Sequence, residues 1–224
     1  MPNESYPNKI RKGRLFITFE GIEGCGKSTQ VKRLAGRLEG CGIPLLATLE
    51  PGGTPIGQLI RRILLDARNK HLAPLAELML YAADRAQHVE EVIKPALDQG
   101  KWVICDRFFD ATVAYQGSAR GLDMKLIRFL NEKITRDVRP DMTFLLDCPV
   151  EVGLERALKR GSRGSQKGQD RFEKEKLAFH VEVRRAYLDL ARKSRKRFVV
   201  IDGASGRDEV EESIFRHIEP FLGT

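Results

Sequence analysis

Residues 21–29, GIEGCGKST, carry the first chemical signal. Gly21 to Ser28 fit GxxxxGK[ST], with a short apolar run before them and a helical pattern after. Glycines at 21, 24 and 26 let backbone N–H groups converge on one point, and a helix beginning near Lys27 adds the positive end of its dipole there. Phosphate is the natural guest. Lys27 is expected to reach the β and γ phosphates of a nucleoside triphosphate and Ser28 to ligate Mg²⁺. Gly21, Ile22, Glu23, Gly24, Cys25, Gly26 and Thr29 complete the expected triphosphate-binding loop. The plain alternative is a glycine turn capping a helix. The loop leaves the reaction open, because GTPases, motor ATPases, translocases and small-molecule kinases all share it.

A second constellation is CDRFFDATVAYQG, residues 105–117. Asp106 is expected to face the nucleotide's metal, directly or through water, and Arg107 to offer a planar fork to a pair of anionic oxygens. An Asp-Arg pair alone is equally well explained as a surface ion pair at a strand end.

Short apolar runs at 15–20, 44–49, 102–106, 143–147 and 198–202 must position these residues, and all five read as buried strands. They alternate with helical patterns at 27–39, 55–68, 74–99, 125–137, 150–159, 171–193 and 208–221. That alternation predicts an α/β fold, a five-stranded parallel sheet with helices on both faces. Glu20, Asp106 and Asp147 then stand at the carboxyl edge, where open α/β sheets bind ligands. The one compositional break is RGSRGSQKGQDR, residues 160–171, polar and glycine-rich. The charged start, residues 1–13, lacks the apolar centre of a secretory signal and reads as a mobile tail before a single domain over 14–224.

Composition narrows the classes. Hydrophobic residues at 42% and charged ones at 31% of 224 residues exclude a wholly disordered chain, and no apolar stretch is long enough for a spanning helix. A cytoplasmic location and no membrane partner are expected. Cys25, Cys41, Cys105 and Cys148 lack metal spacing and read as reduced thiols. The net charge of +8 is concentrated in residues 156–197, which hold 15 Lys and Arg against 5 Asp and Glu. That stretch suits a polyphosphate ligand, nucleic acid or an anionic membrane, and charge alone does not choose. Lys193, Arg195, Lys196 and Arg197 read as a solvated turn, and His71, His180 and His217 receive no role.

LEPGGT (49–54), YAADRAQH (81–88), DRFFDATVAYQG (106–117), RPD (139–141) and DRFEKE (170–175) occur in one order behind the phosphate loop. Together they resemble bacterial thymidylate kinase, a P-loop nucleoside monophosphate kinase family, from about residue 15 to the end. The resemblance implies a three-layer nucleoside-monophosphate-kinase fold with a lid at about 160–171. It implies transfer of phosphate from ATP to dTMP, and commonly a homodimer. It leaves no part for nucleic acid.

The site residues implied by the resemblance follow the motifs. Tyr81 would stack on thymine, Arg85 would donate to a thymine carbonyl, and Thr112 would stand near the base edge. Tyr81, Arg85 and His88 share one helical face. Tyr115 and Gln116 would lie near the sugar, Arg107 on the acceptor phosphate, and Glu50, Pro51 and Arg61 around the acceptor. Arg61 reads equally as a solvated partner of Arg62. Lid cations Arg160, Arg163 and Arg171 would join Lys27 and Arg107 as the catalytic charges, Lys167 beside them, and Ser28 and Asp106 would hold Mg²⁺. Asp170 and Glu173 orient the arginines or simply start a helix. The family usually has Arg where this chain has Leu49, which leaves a kinase of another nucleotide or nucleoside as an alternative. A nucleic-acid-stimulated P-loop ATPase is the reading from a different class.

Overall fold

The structure is a computed structural model that describes residues 13–161 and 171–222; the side chains at 160 and 161 lie outside it, as does nearly all of the tail read over 1–13. Five strands form one parallel sheet in the order β2-β3-β1-β4-β5: β1 Phe16–Glu20, β2 Leu45–Leu49, β3 Trp102–Asp106, β4 Met142–Asp147 and β5 Phe198–Asp202. Successive side chains of a strand face opposite layers, which gives the sheet two cores. Ile17, Phe19 and Ile104 enter the larger core, while Phe16, Val103 and Cys105 enter the smaller one. The three central strands are nearly all buried, as parallel strands covered on both faces must be. The outer strands differ from the sequence reading: β2 and β5 each leave positions exposed, Val200 by 50%, because an edge strand has one neighbour only.

The helices are α1 Lys27–Gly40, α2 Pro55–Leu65, α3 Pro74–His88, α4 Lys94–Asp98, α5 Phe109–Thr112, α6 Met124–Thr135, α7 Val150–Gly161, α8 Leu177–Lys193 and α9 Arg207–Ile218. Helix α2 starts where Thr54 accepts from Gly57 N at 2.9 Å with Pro55 in the first turn, and α6 where Asp123 accepts from Lys125 N. The pattern read as one helix over 74–99 is broken by a π-helical stretch at Val89–Ile93 between α3 and α4. Another π-helical stretch, Val113–Ala119, follows α5 where no helix was expected. Helix α8 begins at Leu177 and not at 171; residues 171–174 form a turn.

Arg197 overturns the solvated-turn reading. Its guanidinium grips Asp110 with two bonds of 2.7 and 2.8 Å and also donates to Thr143 Oγ1, tying the start of β5 to α5. Among the described residues all four cysteines are free thiols, and no helix is long and apolar enough to cross a membrane.

Candidate functional site

The carboxyl ends of β1, β2 and β3 open into a cleft of about 440 Å³. The loop after β1 turns at Gly21, Gly24 and Gly26, all at positive φ, so L-residues there would be strained. Gly24 has a second reason. A Cβ on it would stand 1.9 Å from Gly153 O, so the loop packs against the backbone of α7. Gly26 offers α1 no side-chain cap and the first turn holds no acid, which leaves the N-terminal N–H groups and dipole for an anion. Lys27 Nζ curls back to donate to Gly21 O and Ile22 O at 3.0 and 2.7 Å. Ser28 Oγ donates to Asp106 Oδ2 at 2.5 Å. The ATP-binding expectation thus splits. Glu23, Gly24, Gly26, Lys27 and Ser28 line the cleft, whereas the side chains of Ile22 and Cys25 are in the core, Gly21 is buried beside Leu146 O, and Thr29 is exposed.

All nine residues implied for the acceptor line the same cleft: Glu50, Pro51, Arg61, Tyr81, Arg85, Arg107, Thr112, Tyr115 and Gln116. Helix α3 supplies two of them, Tyr81 and Arg85, from one face. Arg85 is 2% exposed, and its Nε donates to Glu50 Oε2 at 2.8 Å while Nη2 donates to Thr112 Oγ1 at 2.9 Å. Glu50 Oε1 pairs with His88 Nδ1 at 2.9 Å, and His88 Nε2 with Thr48 Oγ1 at 2.7 Å, so His88 turns away from the cleft to brace it from behind. This explains the glycines of EPGGTPIG: a Cβ on Gly53 would meet His88 Nε2 at 2.4 Å, and one on Gly57 would meet Asp84 Oδ1 at 2.4 Å. Asp84, buried and beside Glu50, has its pKa raised to about 6, while its hydrogen bond from Gly52 N works the other way. Burial and Glu77 also push Tyr81 upward. Arg61 is no solvated partner of Arg62. It lines the cleft, donates to Pro51 O at 2.7 Å, and is pulled downward in pKa by burial.

Arg107 holds a left-handed backbone, φ 71°, at the start of the loop after β3. Its guanidinium meets Tyr187 Oη through Nη1 and Tyr115 Oη and Glu23 Oε1 through Nη2, at 3.1 to 3.2 Å. Sequence reasoning placed Glu23 with the phosphate loop, yet the carboxylate bridges that loop to Arg107 and Tyr115. Tyr115 donates to Glu23 at 2.5 Å. Burial works against the charge on Glu23, but His180, Arg107, Lys27 and Tyr115 together hold its pKa at about 2. Nothing in a GxxxxGK[ST] match marks this partnership. The π-helical turn at 113–119 delivers Tyr115 and Gln116 together, a local widening of the helix of the kind found at functional sites.

The cations expected in a lid are divided. The side chain of Arg160, and Arg163 and Lys167 altogether, lie outside the described residues. Arg171 is buried away from the cleft, with Nη2 on Glu77 Oε2 at 2.6 Å and Nε on Leu64 O at 2.5 Å. Glu77, one turn before Tyr81 on α3, also receives Gln116 and Arg120, a hub that sequence reasoning missed. Glu173 lines the cleft from the turn at 171–174, so a helix start does not account for it. Asp147, expected at the functional edge, is taken by both arms of Arg184 at 2.7 and 2.8 Å.

The family model described as Thymidylate kinase matches residues 19–214. The thymidylate kinase of Citrifermentans bemidjiense is 58% identical over 189 residues, 84% of each chain. The chain belongs to the thymidylate kinase family. The thymidylate kinase of Syntrophotalea carbinolica is 57% identical over 195 residues, covering 87% of this chain and 90% of that one. The crystal structure of thymidylate kinase from Ehrlichia chaffeensis superposes with a TM-score of 0.72 at 35% identity, over 92% of this chain and 99% of the other. A thymidylate kinase needs a donor and an acceptor pocket facing each other, and here the phosphate loop and the residues expected around the acceptor share one cleft.

Proposed function

We propose that this cleft transfers the γ-phosphoryl group of ATP to the phosphate of dTMP, giving ADP and dTDP. The observation that carries the reading is the meeting of Lys27 and Ser28 with Arg107, Tyr81 and Arg85 around one cavity. The acceptor is a phosphate monoester, largely dianionic at pH 7, so no general base is needed. The work is positioning and charge neutralisation. Lys27 leaves its loop carbonyls for the donor's β and γ phosphates. Arg107 exchanges part of its Glu23 and Tyr115 contacts for the acceptor phosphate. Tyr81 stacks on thymine and Arg85, held flat by Glu50 and Thr112, donates to a base carbonyl. Tyr115 and Gln116 close the sugar side. Arg160, Arg163 and Arg171 serve the transferring group from a lid at about 160–171, for which Arg171 must first leave Glu77.

Ser28 and Asp106 set two hard oxygens side by side, a donor pair that suits Mg²⁺, an ion usually bound through one or two protein ligands and the substrate's phosphates. When bound, Mg²⁺ supplies neutralisation of the phosphate charge. Ile56, Leu59 and Ile63 on α2, Leu75 and Met79 on α3 and Phe129 on α6 are exposed apolar side chains on three helices packed in series, and they support a homodimer through this face. The chain works as one kinase domain from residue 14, in the cytoplasm, with ATP and dTMP as its partners and without nucleic acid or membrane.

ADP formation with ATP and Mg²⁺ across dTMP, dUMP, dCMP, dGMP and thymidine, with a control lacking acceptor, tests the reading. Selective turnover of dTMP is expected. Preference for another monophosphate would remove the roles of Tyr81 and Arg85, and ATP hydrolysis indifferent to acceptor, or stimulated by DNA, would reject the reaction.

A further inference from the structure

Among the described residues, the guanidinium of Arg107 has one hydrogen-bond partner that does not line the cleft. Tyr187 lies on α8, is 1% exposed, and its hydroxyl accepts from Arg107 Nη1 at 3.1 Å while donating to Glu20 Oε2 at 2.7 Å. The other oxygen of Glu20 accepts from Phe108 N at 2.8 Å. One buried carboxylate at the end of β1 thus grips the backbone just after Arg107 and, through Tyr187, the arginine's side chain. The left-handed backbone at Arg107 is a conformation that the surroundings must enforce. The remaining hydrogen bonds of the guanidinium, to Tyr115 and Glu23, both run from its Nη2, on the side where it also stacks over the Tyr115 ring. Without Tyr187 the fork is held on one side and can pivot.

The structure assigns Tyr187, backed by Glu20, as a positioning residue that fixes the orientation of Arg107 toward the acceptor phosphate. It rests on the reading of Arg107 as the acceptor-phosphate contact. Tyr187 touches neither substrate. Its hydroxyl is a relay between a sheet carboxylate and the arginine, and the helix that carries it follows the lid segment in the chain.

Four proteins test this: wild type, Tyr187→Phe, Arg107→Ala and the double variant, each titrated with dTMP by calorimetry and assayed for the KM of ATP. Loss of one hydrogen bond to a charged group is expected to weaken dTMP binding about 10-fold in Tyr187→Phe. The KM of ATP stays within about two-fold, and the Tyr187 effect disappears in the Arg107→Ala background, as coupled residues require. Tyr187→Phe binding dTMP within two-fold of wild type, a full penalty persisting without Arg107, or equal losses for ATP and dTMP would each overturn the assignment. If Arg107→Ala itself leaves dTMP binding unchanged, the role of Arg107 fails and this proposal with it. Should Tyr187→Phe fail to fold, Glu20→Gln is read the same way. A loss confined to dTMP supports the relay and unchanged binding refutes it.

Discussion

Replacing Glu50 by Ala isolates the buried Glu50–Arg85 ion pair in the wall of the cleft. Glu50 accepts from Arg85 Nε at 2.8 Å and pairs with His88 Nδ1 at 2.9 Å, and all three side chains are at most 2% exposed. Two hydrogen bonds that involve a charged group, at about 1.5–3 kcal/mol each, total roughly 3–6 kcal/mol. Breaking a buried pair by removing one partner costs about 3–5 kcal/mol, because the remaining guanidinium is left uncompensated. Both routes give a loss near 4 kcal/mol, which for a chain of this size lowers Tm by roughly 8–16 °C. Urea unfolding at pH 7.5 measures it, with the slope against denaturant unchanged if the denatured state is unaffected. Removing the arginine as well, in Glu50→Ala with Arg85→Met, is expected to recover much of the loss while leaving discrimination between dTMP and dCMP poorer. A destabilisation under about 1 kcal/mol in the single variant would show that the pair is screened by solvent, and the reasoning would fail.

Three further outcomes follow from the same geometry. Asp84 has its pKa raised from 3.8 to about 6, so the folded state holds its proton more tightly and this group's contribution to stability falls as pH rises between about 4 and 6. Asp84→Asn should therefore gain stability relative to wild type across that window, and parallel curves from pH 4 to 7 would refute the assignment. Gly24→Ala combines φ 70° with a Cβ 1.9 Å from the carbonyl of Gly153, so the KM of ATP should rise at least 10-fold or the protein should unfold; ordinary kinetics and Tm would show that α7 yields. Leu49 is 38% exposed, lines the cleft and pairs in register with Asp106. Leu49→Arg should lower the KM of dTMP if a phosphate contact is missing, whereas an unchanged or higher KM would mean that Arg61 already supplies it.

The strands were legible to within a residue, because short apolar runs between turn residues are what a covered parallel sheet demands. The cleft's lining was legible through ordered motifs. What escaped was either local or distant. Residues 109–119 carry no apolar period that announces α5 and its π-helical extension. Arg197 binds Asp110 across 87 positions and Tyr187 meets Glu20 across 167, separations that no spacing rule reaches. Glu23 stands at a variable position of the phosphate-loop pattern, where the motif specifies no residue type, and its partners come from three other segments. The resemblance casts Arg171 as a catalytic cation, and nothing in the sequence discloses the buried Glu77 that holds it in this structure.

Helix α3 concentrates obligations on a single rotation. Glu77, Tyr81 and Arg85 follow at four-residue steps, the first holding Arg171 and the next two lining the cleft, while Asp84 accepts from Gly52 N and His88 pairs with the side chains of Glu50 and Thr48 from a neighbouring stripe. Inserting one residue between 77 and 81 turns everything downstream by about 100° and shifts it about 1.5 Å relative to Glu77, separating the anchor from the pocket it frames. New acceptor specificities are therefore accessible by exchanging side chains at fixed positions. A change of length in the connection between α2 and α3 falls ahead of Glu77 and leaves the spacing along α3 intact.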